Sequence, residues 1–421
     1  MEWIDAAAAA DRLGVKPATL YAYVSRGVLK RRHEGRRSLF DAAEIETLAR
    51  RGRPRGRPPE LVIESAITAL GLDRPYYRGH DALALARAAT FETTAERLWT
   101  PDHATGRLTD SSGRDADASR QEARAAVPWE ADAEAVHAAV VAQRGLPEPI
   151  LPLDRLQVIV TVLGAADLLR VQLDPVSVAA TGRRLIAGLV DALPALASSP
   201  EPERAGPIAG RLWTRLSPHP QSPALLHALE AALVLLADHE LAASTLAARV
   251  AASARADPYA VVLTGLGVLS GPLHGGASYA AEHLLAEVAR PSDAPRVIAD
   301  WIRRGRRIPG FGHSVYKNGD ARATMLLDLV AQAAPDHDRL AAARAVLAEV
   351  RRRRLPEPNI DFALATLAAV AGLTPGAGEA VFAVARTAGW LAHAMEEYAR
   401  DSLLRLRASY TGPPIPGPPA G

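Results

Sequence analysis

The chain has 421 residues, with 49 Lys and Arg against 47 Asp and Glu, a formal charge of +2. Hydrophobic residues make up 48%, enough to fill the two or three domains that this length suggests. Cysteine is absent, which excludes disulfides, thiol nucleophiles and thiolate-held zinc or iron–sulfur centres. Chemistry therefore falls to His, Asp, Glu, Ser, Lys or Arg. No run of about 18 uncharged apolar residues offers a membrane span. The first five residues lack the basic flank of a signal peptide. A soluble, cytoplasmic protein with no membrane partner is expected.

The small net charge hides an uneven distribution. Residues 1–58 hold 13 Lys and Arg against 7 Asp and Glu, so they carry +6 and the remaining 363 residues carry −4. Residues 6–13 are Ala/Leu-rich with one apolar face, and Gly14 stops that helix. Pro17 opens a second helix through Val24, which ends at Arg26-Gly27. A basic hairpin over 29–40, turning at Glu34-Gly35, follows, and Asp41 is placed to cap a third helix. This pattern resembles the MerR-like or excisionase-like winged helix-turn-helix family. The resemblance implies duplex DNA as a partner of residues 1–58. Thr19, Tyr21 and Tyr23 are then candidate contacts in the major groove, and Arg31, Arg32, Arg36 and Arg37 candidate phosphate contacts. The tandem Arg-Gly-Arg-Pro of 51–58 resembles an AT-hook, although its composition equally makes a stiff linker, here taken as 51–65.

From Leu61 onward, Ala, Leu and Val recur at spacings of three and four, as in 156–169 and 225–236, so the body is expected to be all-α. Only 158–162 hints at a strand. Residues 102–117 and 198–203 read as loops, and the Pro/Gly-rich end, 414–421, as a disordered tail. Gly265-Leu266-Gly267-Val268-Leu269-Ser270-Gly271 superficially suggests dinucleotide binding. Its third glycine is one place late and no βαβ unit surrounds it, so a close helix crossing is expected instead. No HExxH or paired histidines suggest a metal.

Three segments each set an ionisable residue among Gly, Pro and apolar neighbours: His274 in 271–277, His313 in 309–313, and Asp361 in 358–362. A single such histidine is ordinarily structural; three segments in this order suggest a site. With 76–81, 237–245, 310–317, 320–323 and 385–393, they resemble the citrate synthase family from about Tyr76 to Pro413.

That resemblance implies a large helical domain, 66–277 with 385–413, and a small one, 278–384, that closes over the substrates. It implies condensation of acetyl-CoA with oxaloacetate to citrate and CoA, with no bound cofactor. Asp361 would be the base, His274 the neutral donor to the thioester oxygen, its acid constant lowered by a helix N-terminus, and His313 the donor to the second carbonyl. His239, Arg322, Arg386 and Arg405 would bind oxaloacetate, Arg405 across a homodimer with shared sites, and Lys317 is the candidate for coenzyme A. Two alternatives stay open: a 2-methylcitrate synthase using propionyl-CoA, and a metabolite-sensing DNA-binding regulator on the same body.

Overall fold

The computed structural model describes residues 3–13, 20, 23–24, 29–34, 37–42, 44–45, 63–100, 129–147, 149–196, 206–400, 402–406, 408 and 411–412, in two compact units, 1–64 and 65–421. The expected loops 102–117 and 198–203 and the tail 414–421 lie outside these residues, as does the Arg-Gly-Arg-Pro strip.

The first unit contains β1 (Trp3–Asp5), α1 (Ala6–Leu13), β2 (Arg31–Glu34) and β3 (Arg37–Asp41). Asp5 accepts from the Ala8 amide at 2.9 Å and so caps α1. The basic hairpin is β2 against β3, with Arg31 opposite Phe40 and Glu34 opposite Arg37. Glu34 is thus still paired in the strand, one step before the turn expected there. Asp41 ends β3, opposite Trp3, and helical backbone begins at Ala42. Strand β1 was not expected: three residues are too few for an alternating pattern to show. Ile4, Ala9, Ala10, Leu20, Leu29, Phe40, Ala42 and Ile45 form this unit's core.

The second unit opens with a small antiparallel sheet of β4 (Thr68–Leu70), β5 (Pro75–Tyr77) and β6 (His80–Asp81), in that order. The rest is helical. First come α2 (Ala82–Ala88), α3 (Phe91–Trp99), α4 (Ala133–Ala142), α5 (Pro152–Ala166), α6 (Pro175–Asp191), α7 (Ile208–Leu216) and α8 (Pro223–Leu236). Next are α9 (Ala243–Ser253), α10 (Pro258–Leu269), α11 (Gly276–Glu287) and α12 (Ala294–Arg303). The last are α13 (Ala321–Ala333), α14 (Asp338–Arg352), α15 (Ile360–Ala371) and α16 (Ala377–Tyr398). Residues 158–162 lie inside α5, where Leu156, Ile159, Val160 and Leu163 bury one helical face. Burial at helical spacing overrides the strand preference of the β-branched residues.

Helix α16 is apolar on nearly every side and is buried along almost its whole length. At about 1.5 Å per residue such a helix spans ~33 Å, so it acts as the axis of the main core. Gly265 of α10 meets it closely: a Cβ there would lie 2.6 Å from the Trp390 ring. This is the helix crossing expected from the glycine run, whereas Gly267 faces open space. A second, smaller core joins Leu284, Leu285, Val297, Ile298, Val346 and Phe362, so α11, α12, α14 and the head of α15 share it. Among the described residues no helix is long and apolar enough to cross a membrane.

Candidate active site

His274 directly precedes α11, in a turn forced by packing. A Cβ on Gly275 would lie 2.5 Å from Leu269 Cδ1, and one on Gly276 would lie 2.9 Å from the Gly271 carbonyl oxygen. These glycines serve the junction with α10 rather than the approach of a ligand. Ser244, at the head of α9, places its Oγ 2.7 Å from His274 Nε2 and 3.2 Å from Trp390 Nε1. Indole N–H can only donate, so the serine oxygen accepts from Trp390 and keeps both a hydrogen and a second lone pair for His274. A hydroxyl that donates to Nε2 leaves the imidazole proton on Nδ1. Burial, followed by the Arg386 charge, pushes His274 down to about 4. Burial and Arg386 both favour its neutral form.

Asp361 stands in the first turn of α15, whose cap is Asn359 Oδ1 accepting from the Asp361 amide at 3.0 Å. Burial raises Asp361 to about 6 against the opposing hydrogen bond from Ser278. Helix α11, which carries Ser278, packs against α15, and so connects the His274 turn with the Asp361 turn.

His313 lies in a loop held by two left-handed glycines, Gly310 at φ +79° and Gly312 at φ +81°. Asn359 anchors that loop to α15, its amide bonding Gly310 O at 2.9 Å and its Nδ2 bonding Gly312 O at 2.9 Å. The amides of Val315 and Tyr316 donate to His313 Nδ1 at 3.0 and 3.1 Å. With Nδ1 occupied as an acceptor, the neutral ring carries its hydrogen on Nε2. Burial and the nearby Arg322 push His313 down to about 4. His239 packs edge-on to it, ring centroids 5.3 Å apart, with Nε2 3.0 Å from the Tyr316 hydroxyl. Burial, Arg322 and Arg386 hold His239 well below the ordinary imidazole range.

Two buried guanidinium groups complete the cluster. Arg322 gives Nε and Nη2 to Asp320, each at 2.9 Å, and lies over the Tyr316 ring. Asp320 also caps α13 and accepts from the Ile360 amide at 3.1 Å, so one carboxylate fixes both Arg322 and the segment carrying Asp361. Arg386 donates Nε to the Leu236 carbonyl at 2.8 Å and rests on Phe382, which in turn meets the His274 ring edge-on. Its Nη1 is buried without a hydrogen-bond partner. Burial lowers Arg386 to about 10, against the pull of Asp238. An unpaired, buried guanidinium nitrogen beside neutral imidazoles suits an incoming carboxylate.

Five sequence candidates, His239, His274, His313, Arg322 and Arg386, thus join Asp361 in one connected cluster. Arg405 does not: it is exposed, and its neighbour Leu404 bonds Ser253 Oγ at the end of α9 remote from Ser244. Lys317 is also exposed, with Nζ 3.4 Å from the His313 carbonyl. In the first unit Arg31 and Arg32 are exposed on β2, Arg32 reaching over the Trp3 ring, while Tyr23 is half-buried on the core. Thr19, Tyr21, Arg36 and the side chain of Arg37 lie outside the described residues. Ser244, Ser278, Tyr316, Asp320 and Trp390 were not identified as functional residues from sequence: a hydroxyl or indole in a helical pattern gives no signal of its own, and Asp320 reads as an ordinary helix cap. Among the described residues no group of three or more His, Asp or Glu side chains is arranged for a metal.

A carboxylate shielded from solvent, neutral imidazoles and an arginine with one unpaired nitrogen on a helical frame define an enzyme rather than a scaffold. The family model for the citrate synthase C-terminal domain matches residues 60–407, and that for a helix-turn-helix domain matches residues 3–53. Citrate synthase 2 of Bacillus subtilis is 34% identical over 280 residues, covering 63% of this chain and 74% of its own length. A 2-methylcitrate synthase of Corynebacterium glutamicum is 35% identical over 190 residues, 44% of this chain and 49% of its own length. The citrate synthase structure from Thermotoga maritima superposes with a TM-score of 0.67 at 26% identity, covering 87% of this chain and 98% of that one. A Thermoplasma acidophilum citrate synthase, in a complex with carboxymethyl coenzyme A and oxaloacetate, shares the fold with a TM-score of 0.66 at 24% identity, over 85% of this chain and 96% of that one. The chain belongs to the citrate synthase family, whose members use CoA substrates and oxaloacetate, and it is an enzyme of that acyltransferase type.

Proposed function

We propose that this chain condenses acetyl-CoA with oxaloacetate and then hydrolyses the thioester, releasing citrate and CoA. The observation that carries the reading is the placement of Asp361 in the same cluster as His274, His313 and the unpaired Arg386 nitrogen. A thioester methyl is a very weak acid, so a carboxylate takes its proton only while the developing enolate oxygen is stabilised. Asp361 removes the proton and His274 Nδ1–H donates to that oxygen. The new carbanion equivalent attacks the ketone carbon of oxaloacetate, whose oxygen accepts from His313 Nε2–H and takes up its proton. Arg386, Arg322 and His239 hold the carboxylates. Water then cleaves the thioester, giving the free acid and CoA thiol. Domain closure of 278–384 over 66–277 and 385–413 would exclude bulk water during condensation. The test is release of CoA thiol from acetyl-CoA and oxaloacetate by the purified chain; D361A retaining that activity would overturn the role of Asp361.

Propionyl-CoA is a second reading, favoured by the likeness to the Corynebacterium 2-methylcitrate synthase. One methylene is worth only about 1–3 kcal/mol of discrimination in a pocket. The ratio of kcat/KM for the two thioesters decides between them, and Lys317, near the His313 loop, is proposed to touch the coenzyme.

A homodimer with shared sites accounts for Arg405, which lies apart from the cluster of its own chain. Exposed Leu246 and Val250 on α9 and Leu263 on α10, at 36%, 45% and 36%, offer an apolar surface for it. The helix-turn-helix unit is proposed to bind duplex DNA, supported by the family match over 3–53 and by exposed Arg31 and Arg32. Binding that weakens steeply with salt and disappears on deletion of 1–58 would support it. A chain that binds DNA in response to oxaloacetate but releases no thiol from any acyl-CoA would instead be the sensing regulator.

A further inference from the structure

Helix α16 carries Arg386, Gly389 and His393 at spacings of three and four, so they share one face. Asp238 sits over the middle of that face: a Cβ on Gly389 would lie 2.3 Å from Asp238 Oδ1 and 2.5 Å from the Ala237 carbonyl oxygen. The aspartate is therefore flanked by a guanidinium on one side and an imidazole on the other, and is fully buried. Elementary electrostatics favours its closing on the guanidinium, yet no such pair forms. Asp238 Oδ2 accepts instead from His393 Nε2 at 3.3 Å and from the Glu240 amide at 3.1 Å. Arg386 meanwhile keeps Nε on the Leu236 carbonyl and Nη1 unpaired.

His393 is fixed from behind. Arg249 Nη1 lies 2.7 Å from His393 Nδ1, and a guanidinium can only donate, so Nδ1 accepts and the ring hydrogen sits on Nε2, facing Asp238. Arg249 is itself buried and paired with Glu396 at 2.7 Å and with Glu397. An ordered relay thus runs from the two glutamates through Arg249 and His393 to Asp238, the residue immediately before His239.

We propose that Arg249 and His393 are positioning residues that hold Asp238 away from Arg386 and so keep the Arg386 fork free for a substrate carboxylate. Without the anchor, Asp238 turns onto Arg386 and competes with the substrate as an internal anion. This rests on reading Arg386 as a carboxylate fork.

The test uses the full chain and steady-state kinetics at saturating acetyl-CoA. H393L is expected to raise the oxaloacetate KM about tenfold or more, as loss of a charged hydrogen bond does, with kcat within about twofold. H393Q presents a carbonyl to Arg249 and an amide to Asp238, and should restore a KM close to the parent value. Adding D238N to H393L removes the competing charge and should recover most of the lost affinity, which a merely structural role for His393 would not do. An unchanged KM in H393L, or a double variant no better than H393L, overturns the proposal. Should H393L not fold, as judged by its thermal melt, H393N with and without D238N supplies the same comparison. R386L separates the two readings: an unaltered oxaloacetate KM in R386L removes the fork itself. A defective R386L beside an unaltered H393L removes only the relay.

Discussion

Ser278 Oγ lies 2.5 Å from Asp361 Oδ1, joining the first turn of α11 to the first turn of α15. A hydroxyl that donates to a carboxylate favours its ionised form, so Ser278 opposes the burial that raises Asp361 to about 6. Removing the hydroxyl takes away the largest influence opposing burial and leaves only the charges of Arg322 and Arg386 against it. S278A is therefore expected to move the acid limb of kcat/KM upward by about one pH unit. Activity would fall near pH 6–7 and approach the parent value near pH 9. A pH–rate profile checks this, and a limb that stays in place would show that Ser278 only packs the two helices together.

The same raised Asp361 has a consequence for stability, with the opposite sign to a salt-bridged carboxylate. Its folded-state value, about 6, exceeds the 3.8 of an ordinary aspartate, so the fold favours the protonated form. The penalty is absent below pH 3.8, grows as pH rises, and is complete above about 6. D361N is expected to abolish condensation while stabilising the chain at pH 8 by about 2–3 kcal/mol, with little effect near pH 4. Thermal melts of both proteins at the two pH values measure it. A D361N variant less stable at pH 8 than at pH 4, relative to the parent, would mean the carboxylate is not strained by burial.

The sequence-based reading worked best where chemistry and backbone constraint coincide. His274, His313 and Asp361 each sit beside Gly or Pro that shape a turn, and a ring or carboxylate in such a turn is conspicuous in a helical chain. Their partners were illegible, because Ser244, Ser278 and Trp390 occupy ordinary helical positions and become functional only when α9, α11, α15 and α16 are packed. Arg322 and Arg386 were both expected to bind oxaloacetate. The structure distinguishes them: Asp320, two residues before Arg322, already takes its Nε and Nη2, while Arg386 keeps an unpaired nitrogen. The strands β4, β5 and β6 have only two or three residues each, too short for alternation to register.

Ser244 offers a sharper test of the proposed thioester-oxygen donor, His274. Its oxygen accepts from Trp390 Nε1 and lies 2.7 Å from His274 Nε2, and a hydroxyl donating to that nitrogen keeps the hydrogen on Nδ1, the tautomer that the proposed function uses. S244A frees Nε2 to carry the hydrogen, and a fraction of the rings then faces the thioester with an acceptor. The expected result is a fall in kcat of about 10- to 100-fold, the scale of a misplaced general acid or oxyanion donor. The oxaloacetate KM should change little, because the proposed carboxylate ligands contact other side chains. Imidazole nitrogen chemical shifts of His274, compared between the parent and S244A, report the tautomer directly. Equal kcat in the two proteins would remove the tautomer from the mechanism.

Gly310 illustrates how backbone geometry sets the His313 ring. It adopts φ +79°, and a Cβ there would lie 2.8 Å from Phe362 Cβ and 3.0 Å from both Cα and N of the same residue. Three of its closest neighbours are thus the backbone and Cβ at the head of α15, which cannot swing aside as the end of a flexible chain can. G310A combines a left-handed conformational cost of about 1–2 kcal/mol with that clash, so a total loss of about 2–4 kcal/mol of stability is expected. The clash pushes apart two segments that Asn359 joins, the His313 loop and the Asp361 turn. Activity should therefore fall more than the loss of folded protein explains, at least tenfold per folded molecule, because a displacement of about 1 Å is severe at a reacting centre. Thermal denaturation together with kcat normalised to folded enzyme distinguishes the two effects. A variant that loses stability but keeps full kcat per folded molecule would show that the loop can move without displacing His313.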